Sequence, residues 1–413
     1  MAGISVRAMP PNTHVIVGAS LAGASAAAAL RKDGFDGRIV LIGEETERPY
    51  ERPELSKTYL RGEAKKDLHV HASDYYIDNG IELLTGRPVD GIDIGRREVR
   101  LGDERIPFDR LLLATGATPR RLELPGSQLE GIETLRTMAD ADRIRERAKD
   151  AVAIAVIGGG WIGSEVAASL REIGRDVTLI LPGQDPLEHV LGSALGSMYS
   201  TAHKEHGVTL ITGTAATGFE GRDIVTAVHT ADGRSVPADL VVVGIGAEPR
   251  VELATHAGIA VENGILVDDR LQTSVPGIYA AGDVANAHHP RYGRRLRIQH
   301  WDNAKRQGRA AAANMLGQAK PYARIPYFYS DQYDIGMEYT GLASPEDQVV
   351  FRGDRDSREF IAFWLRDGRV VAGMNVNVWD VAPAIERLVA SQAEVDVRRL
   401  TDERRPLEEL AAA

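Results

Sequence analysis

The pattern of apolar and polar positions changes period several times along the chain, and each change marks an element. His14–Val17 is a short β-branched run, Leu21–Lys32 is alanine-rich with apolar residues at helical spacing, and Arg38–Ile42 returns to an apolar run. Strand, helix and strand in that order predict a βαβ opening and a parallel sheet. Far downstream the succession recurs: Ala151–Ile157 reads as a strand, Ile162–Ile173 as a helix and Val177–Leu181 as a strand. Two related units in one chain, with no short-period repeat, predict two dinucleotide-type folds. After Tyr322 the pattern becomes aromatic and alternating, at Glu359–Leu365 and Val370–Val378, which predicts an antiparallel sheet in a further domain. Arg120–Ser127, rich in Pro, Arg and Gly, and Gly244–Arg250 read as crossings between domains, and Thr401–Ala413 reads as a frayed helix. The expected fold class is α/β, with two Rossmann-like dinucleotide-binding domains and a C-terminal α+β domain.

Glycines sit where such folds need them. Gly18-Ala19-Ser20-Leu21-Ala22-Gly23 follows the first strand and opens the first helix, fitting G-x-G-x-x-G with Ser20 in place of the middle glycine. The first glycine makes the tight turn, the middle position lets the backbone approach a pyrophosphate, and the last permits helix–strand packing. The helix N-terminus adds N–H donors and partial positive charge. Glu44 follows just past the second strand, where a carboxylate can accept from ribose hydroxyls. The second motif, Gly158-Gly159-Gly160-Trp161-Ile162-Gly163, keeps all three glycines. Its next strand ends at Leu181, where a ribose-binding acid is expected; Asp185 and Glu188 are the nearby candidates to replace it. Without such a group, the lost charge-assisted hydrogen bond predicts weakened NADH binding and a Leu181→Glu variant with a lower Michaelis constant.

Composition narrows the chemistry. The chain of 413 residues is long enough for two or three domains, and at 43% hydrophobic and 26% charged residues it can build cores. The net charge of −10 argues against a nucleic-acid binder. The sequence contains no cysteine, which excludes disulfides, thiolate-held zinc, cysteine-ligated iron–sulfur clusters and thiol nucleophiles, and no metal site is expected. Met1–His14 has no long apolar stretch before Pro10-Pro11, and apolar runs such as Leu240–Val243 are strand-sized, so neither a signal peptide nor a membrane span is expected. The expected location is cytoplasmic.

Further segments complete an order of motifs: Arg52-Pro53-Glu54-Leu55-Ser56-Lys57, Ala114-Thr115-Gly116, Ala280-Ala281-Gly282-Asp283-Val284 and Ser330-Asp331-Gln332-Tyr333. Together with the two glycine motifs, this order resembles the FAD-dependent NADH:ferredoxin reductases of bacterial oxygenase systems, of the putidaredoxin reductase and biphenyl dioxygenase reductase type. The resemblance spans nearly the whole chain. It implies a glutathione-reductase-like arrangement: an FAD-binding domain at 10–117 and 247–322, an NAD(P)-binding domain at 118–246, and a C-terminal reductase domain at 323–413.

The resemblance also implies roles. Gly18, Ser20, Leu21, Ala22 and Gly23 would face the FAD pyrophosphate, Glu44 the adenosine ribose and Val89 the adenine. Thr115 and Gly116 would cross near the pyrophosphate, Arg136 would make a further FAD contact, and Asp283, with room made by Gly282, would bind the ribityl chain. His300 and Trp301 would lie by the pyrimidine end of the flavin. Lys57, with Arg52 on the same loop, would sit beside the isoalloxazine ring, where a cation favours electron density on the reduced flavin. NADH, with NADPH as the other possibility, would bind through Gly158, Gly160, Trp161, Ile162, Gly163 and Gly246, with Glu165 facing the nicotinamide.

The implied reaction carries electrons from NADH through FAD to a [2Fe–2S] ferredoxin that serves an oxygenase. Without cysteine, electrons cannot leave through a disulfide or a sulfenic acid and must pass to an external acceptor. The partner surface implied by resemblance lies near Arg309, Tyr327 and Tyr329, with Lys305 and Arg306 on the same predicted helix as Arg309. Two other readings stay open at this stage. One is a related flavoenzyme with another acceptor, a quinone, monodehydroascorbate or oxygen. The other is a redox-sensing interaction protein resembling apoptosis-inducing factor. Oligomeric state is not fixed by the sequence.

Overall fold

The computed structural model describes residues 12–63 and 67–410. The leader expectation at Met1–His14 thus lies largely outside the described residues, as do the first residues of the expected FAD domain and the last three alanines. The chain divides into two compact units. The first comprises Met1–Glu51, Leu68–Ala117 and Pro249–Arg324; the second comprises Arg52–Asp67, Thr118–Glu248 and Ile325–Ala413.

The first unit is organised by a five-stranded parallel sheet. Thr13–Val17 lies at its centre between Arg38–Ile42 and Arg110–Leu113, with Ile81–Leu84 and Ile278–Ala280 at the edges. The strands are continuous apolar runs because both faces of a parallel sheet are covered. Val15, Ile16, Ile39, Val40, Leu41, Leu111, Leu112 and Leu113 are fully buried. Helix Leu21–Lys32 matches its expected bounds. It packs against helix Trp301–Met315 closely enough that a Cβ at Gly308 would lie 2.2 Å from the Ala22 carbonyl oxygen. That approach explains alanine and glycine on both faces.

The second unit holds another five-stranded parallel sheet, in the order Thr209–Ile211, Val177–Ile180, Ile154–Ile157, Leu240–Val243 and Ile132–Thr134. Helix Trp161–Glu172 follows its central strand. The strand expected from Ala151 begins instead at Ile154. Ala151 is the C-cap of helix Met138–Asp150, and the amides of Val152 and Ala153 donate to the Asp239 carboxylate rather than to a neighbouring strand. The preceding helix is started by a capping box, in which the Thr137 side chain accepts from the Asp140 amide and Asp140 reaches back.

The same unit contains a five-stranded antiparallel sheet, ordered Tyr327–Gln332, Ile335–Gly341, Arg369–Val376, Glu359–Arg366 and Gln348–Asp354. Helix Ser193–Glu205 covers one side through Leu195, Tyr199 and Ala202, which join a core with Ile335, Met337, Phe360 and Met374. Helix Ala382–Ser391 covers the other through Ile385 and Leu388, packed with Phe363 and Leu365. The frayed helix expected from Thr401 is corrected: a helix at Val397–Thr401 ends there, and only a 3-10 turn, Leu407–Glu409, follows Pro406. Proline lacks the N–H that a continuing helix would need.

Candidate functional site

Each parallel sheet delivers a glycine turn at the carboxyl end of its central strand. In the first unit Gly18 has φ +117°, and a Cβ there would lie 2.0 Å from the Ala114 carbonyl oxygen. A Cβ at Gly23 would lie 2.0 Å from the Gly18 oxygen, so only glycine lets the helix start this close to the strand. Ser20, at the departure from the glycine pattern, is the helix N-cap in extended conformation with φ −119° and makes no side-chain cap bond. Its backbone therefore does not need glycine. The amides of Leu21, Ala22 and Gly23 open the helix and lack intrahelical acceptors, a donor set suited to a pyrophosphate.

Around this turn the other named residues of the unit are partly assembled. Glu44 forms a bidentate ion pair with Arg250, with the Nη2–Oε2 contact at 2.7 Å and a second, shorter one between Nη1 and Oε1. Glu44 is the first cause holding the Arg250 guanidinium above its ordinary value. A carboxylate has about four acceptor positions, and the Arg250 fork takes two of them. Thr115 Oγ1 donates to the Arg250 carbonyl at 2.8 Å, and the Arg250 amide donates to the Gly116 carbonyl at 3.0 Å. Arg250 was missed by sequence reasoning, which took its segment as a crossing. Gly282, at φ +79°, donates its amide to Gln307 Oε1 at 2.9 Å and starts the 3-10 turn that carries Asp283. His300 is the N-cap of helix Trp301–Met315, and Lys305 Nζ lies 4.5 Å from the Trp301 ring centroid. Val89 is half-buried against the core of the sheet.

On that helix the basic residues differ in how their charge is used. Arg306 pairs with the buried Asp302 at 3.2 Å, whereas Arg309 is exposed. His71, stacked on Tyr75 at 3.8 Å, is held below the ordinary imidazole value by burial and by the cations of Arg309 and Lys305.

In the second unit Gly158 has φ +109°, and a Cβ at Gly163 would lie 1.9 Å from the Gly158 oxygen. Gly160 is different. It is the helix N-cap, and a Cβ built on it meets nothing within 4 Å. The turn therefore leaves an open cradle at the helix start, which fits a second pyrophosphate. Ile162 is 44% exposed, and Trp161 packs edge-on against Phe328 at 4.8 Å. Gly246 has φ +101° and accepts from the Arg120 amide at 2.9 Å. Arg52 and Arg136 meet directly, the Arg52 guanidinium donating to the Arg136 carbonyl.

A buried ion pair of the second unit joins three motifs that are distant in sequence. Lys57 Nζ donates to Glu165 Oε2 at 2.8 Å, with side-chain exposures of 8% and 5%. Ser56 Oγ donates to the same oxygen at 2.5 Å, and Ser330 Oγ donates to Glu165 Oε1 at 2.6 Å. Both oxygens of Glu165 are satisfied, as a buried carboxylate requires. The Tyr329 ring centroid lies 5.7 Å from Lys57 Nζ, and Tyr327 donates to Glu338 at 2.7 Å. Asp331 is pushed above the usual carboxylate range by burial and by Glu165, Glu54 and Glu338, with Lys57 opposing. Sequence reasoning named Lys57 and Glu165 but assigned them to different cofactors, and it missed Ser56, Ser330 and Asp331 as their partners. The only signal was that these serines and Asp331 stand inside the quoted motifs.

Comparison with known proteins gives concordant matches. The family profile described as pyridine nucleotide-disulphide oxidoreductase matches residues 12–308, and one described as reductase C-terminal matches 327–411. The chain is 39% identical to putidaredoxin reductase of Pseudomonas putida, covering 97% of this chain and 96% of that one. It is 37% identical to the biphenyl dioxygenase system ferredoxin–NAD(+) reductase component of Paraburkholderia xenovorans, over 95% and 96% of the two chains. Among solved structures, the covalent putidaredoxin reductase–putidaredoxin complex matches with a TM-score of 0.92 at 38% identity, covering 97% of this chain and 98% of that one.

Proposed function

We propose, for a chain that belongs to the pyridine nucleotide-disulphide oxidoreductase family, a division of labour among its site residues in the reaction of a ferredoxin reductase. The enzyme takes electrons from NADH through FAD to a ferredoxin of an oxygenase system. One observation carries this reading: two strand–glycine–helix turns with the packing glycines of dinucleotide sites stand in a chain of 413 residues without cysteine. Electrons that enter cannot leave through a protein thiol, despite the disulphide in the family's description. When bound, FAD supplies the conversion of a two-electron hydride into single electrons that an iron–sulfur centre can accept.

The chain's own residues bind, orient and neutralise. We assign FAD to the domain at 10–117 and 247–322, with first-turn amides at Leu21–Gly23 taking the pyrophosphate and Glu44, steadied by Arg250, taking a ribose. NADH is assigned to the domain at 118–246, with its pyrophosphate in the cradle at Gly160 and the first turn from Trp161 to Gly163. Lys57 would supply a cation beside the flavin ring, and Glu165, fixed by Ser56 and Ser330, would keep that cation in place. No protein nucleophile is required. Arg309 in the first unit, and Tyr327 and Tyr329 in the C-terminal domain at 323–413, are assigned to contacts with an acidic [2Fe–2S] ferredoxin. Among the described residues no helix is long and apolar enough to cross a membrane.

The test is anaerobic stopped-flow absorbance with NADH and with NADPH, followed by a [2Fe–2S] ferredoxin. Bleaching by NADH and rapid reoxidation by the ferredoxin is the expected result. A flavin that NADH does not bleach, or that ferredoxin does not reoxidise, would overturn the reading.

A further inference from the structure

Leu181 stands where the second nucleotide motif should present a ribose-binding acid. It is 2% exposed, and its Cδ1 lies 2.7 Å from where a Cβ on Gly159 would be, so it fills the space beside the glycine turn and offers no polar atom. A carboxylate nevertheless returns to the neighbourhood from farther along the chain. The loop after strand Val177–Ile180 folds back on the glycine turn, with the Leu187 amide donating to the Gly159 carbonyl at 2.8 Å. Leu187 holds φ +62°, a left-handed conformation uncommon for a residue with a Cβ, and this turns the chain so that Glu188 closes over the loop. Glu188 Oε2 accepts from the Gln184 amide at 3.0 Å and from the Asp185 amide at 3.3 Å. Glu188 is half-buried, and among the described residues its Oε1 makes no protein hydrogen bond.

The other nearby acid is tied to a helix rather than to the loop amides. Asp185 Oδ1 accepts from Ser200 Oγ at 2.6 Å, from the helix Ser193–Glu205. Glu188 alone combines a carboxylate anchored by two loop amides with an acceptor oxygen left for a ligand, one residue beyond the direct contact with Gly159. Two amide donors hold it in one orientation.

We infer that Glu188 is the specificity-determining carboxylate of the nicotinamide-nucleotide site, accepting from the adenosine ribose hydroxyls in place of the acid missing at Leu181 and repelling the 2′-phosphate of NADPH. The inference rests on the assignment of NADH to Gly158–Gly163. A vicinal diol donates two hydrogen bonds that an anionic acceptor rewards, whereas a phosphate dianion beside a fixed carboxylate meets like charge.

The experiment titrates NAD+ and NADP+ calorimetrically into the FAD-loaded full chain, which reads binding without turnover, and adds steady-state Michaelis constants for NADH and NADPH. Glu188→Ala is expected to weaken NAD+ binding roughly 10- to 150-fold, the loss of a hydrogen bond to a charged group, and to narrow discrimination against NADP+. Glu188→Gln, which keeps the side-chain size and an acceptor for the loop amides, separates charge from loop folding. It is expected to gain NADP+ affinity while losing less for NAD+. Leu181→Glu is expected to change NAD+ affinity less than about twofold in the wild-type background, because the ribose already has its acid, and to restore binding in Glu188→Ala. The inference is overturned if Glu188→Ala binds both nucleotides within about twofold of wild type, or if Leu181→Glu alone tightens NAD+ by about tenfold. A wild-type holoenzyme that binds neither nucleotide would instead overturn the assignment of the site itself.

Discussion

Lys57 Nζ and Glu165 Oε2 lie 2.8 Å apart although 108 residues separate them in the chain, and both side chains are almost wholly buried. A pair of this kind adds little net stability when intact, because each charge has lost its hydration. Removing one partner, however, leaves the other charge buried and uncompensated, which costs roughly 3–5 kcal/mol. Glu165→Ala should therefore lower the denaturant midpoint by far more than a surface substitution. The double variant Lys57→Met/Glu165→Leu should recover most of the loss. Unfolding followed by circular dichroism checks both, and a double variant no more stable than Glu165→Ala would refute the reading of the pair as mutually compensating.

The glycine turns make opposite predictions for the same substitution. Gly23→Ala places a Cβ 2.0 Å from a backbone oxygen and should yield protein that purifies with little FAD, read from the ratio of flavin to protein absorbance. Gly160→Ala meets no protein atom within 4 Å and has φ −80°, so the fold and the flavin content should stay intact. Its methyl would project into the cradle and should raise the Michaelis constant for NADH about tenfold, a loss of ~1.4 kcal/mol. Unchanged NADH binding in Gly160→Ala would place the pyrophosphate elsewhere.

His203 gives the protein a pH dependence. Burial, reinforced by His206, lowers its imidazole from 6.5 to about 4, and its Nδ1 is 3.0 Å from the Tyr333 hydroxyl. Between those values the unfolded chain binds a proton that the folded chain does not. The stabilisation is complete above about pH 6.5 and is lost as pH falls towards 4. The shift corresponds to about 3 kcal/mol. His203→Gln should flatten the fall in melting temperature between about pH 7.5 and about pH 5. A wild-type fall that persists undiminished in the variant would assign the acid sensitivity to other groups.

Arg309 is exposed and carries no close ion pair among the described residues, unlike Arg306. Arg309→Glu should lower the association rate with an acidic ferredoxin about tenfold at low salt and reduce its salt dependence, with a smaller effect on dissociation. Stopped-flow reoxidation across ionic strength measures this. A rate insensitive to the charge reversal would move docking away from this helix.

Elements with a strong local signature were legible in the sequence. Helix Leu21–Lys32 and strand Arg38–Ile42 have the bounds their patterns predict, because alanine at helical spacing and an apolar run after a turn leave little competition. Helix Trp161–Glu172 differs from its expected span by one residue at each end. The start of strand Ile154–Ile157 was misread, since no apolar pattern announces that Asp239 captures the amides of Val152 and Ala153. Long-range pairings were invisible for the same reason. Nothing near Glu165 in the sequence says that Ser56 and Ser330 donate to it, and nothing in the segment ending at Arg250 says that its guanidinium clasps Glu44. Chemistry-bearing residue types can be named from motifs, but their partners are set by which strands become neighbours.

The order of strands in the first sheet also has a consequence for synthesis. Ile278–Ala280 completes that sheet beside Arg110–Leu113, whereas the parallel sheet of the second unit needs only residues from Ile132 to Val243. A ribosome adding roughly 5–20 residues per second releases every strand of the second parallel sheet before the last strand of the first. The nascent chain thus holds four strands of an open apolar sheet with an unpaired edge while the later sheet closes, an interval in which that edge is open to wrong pairing.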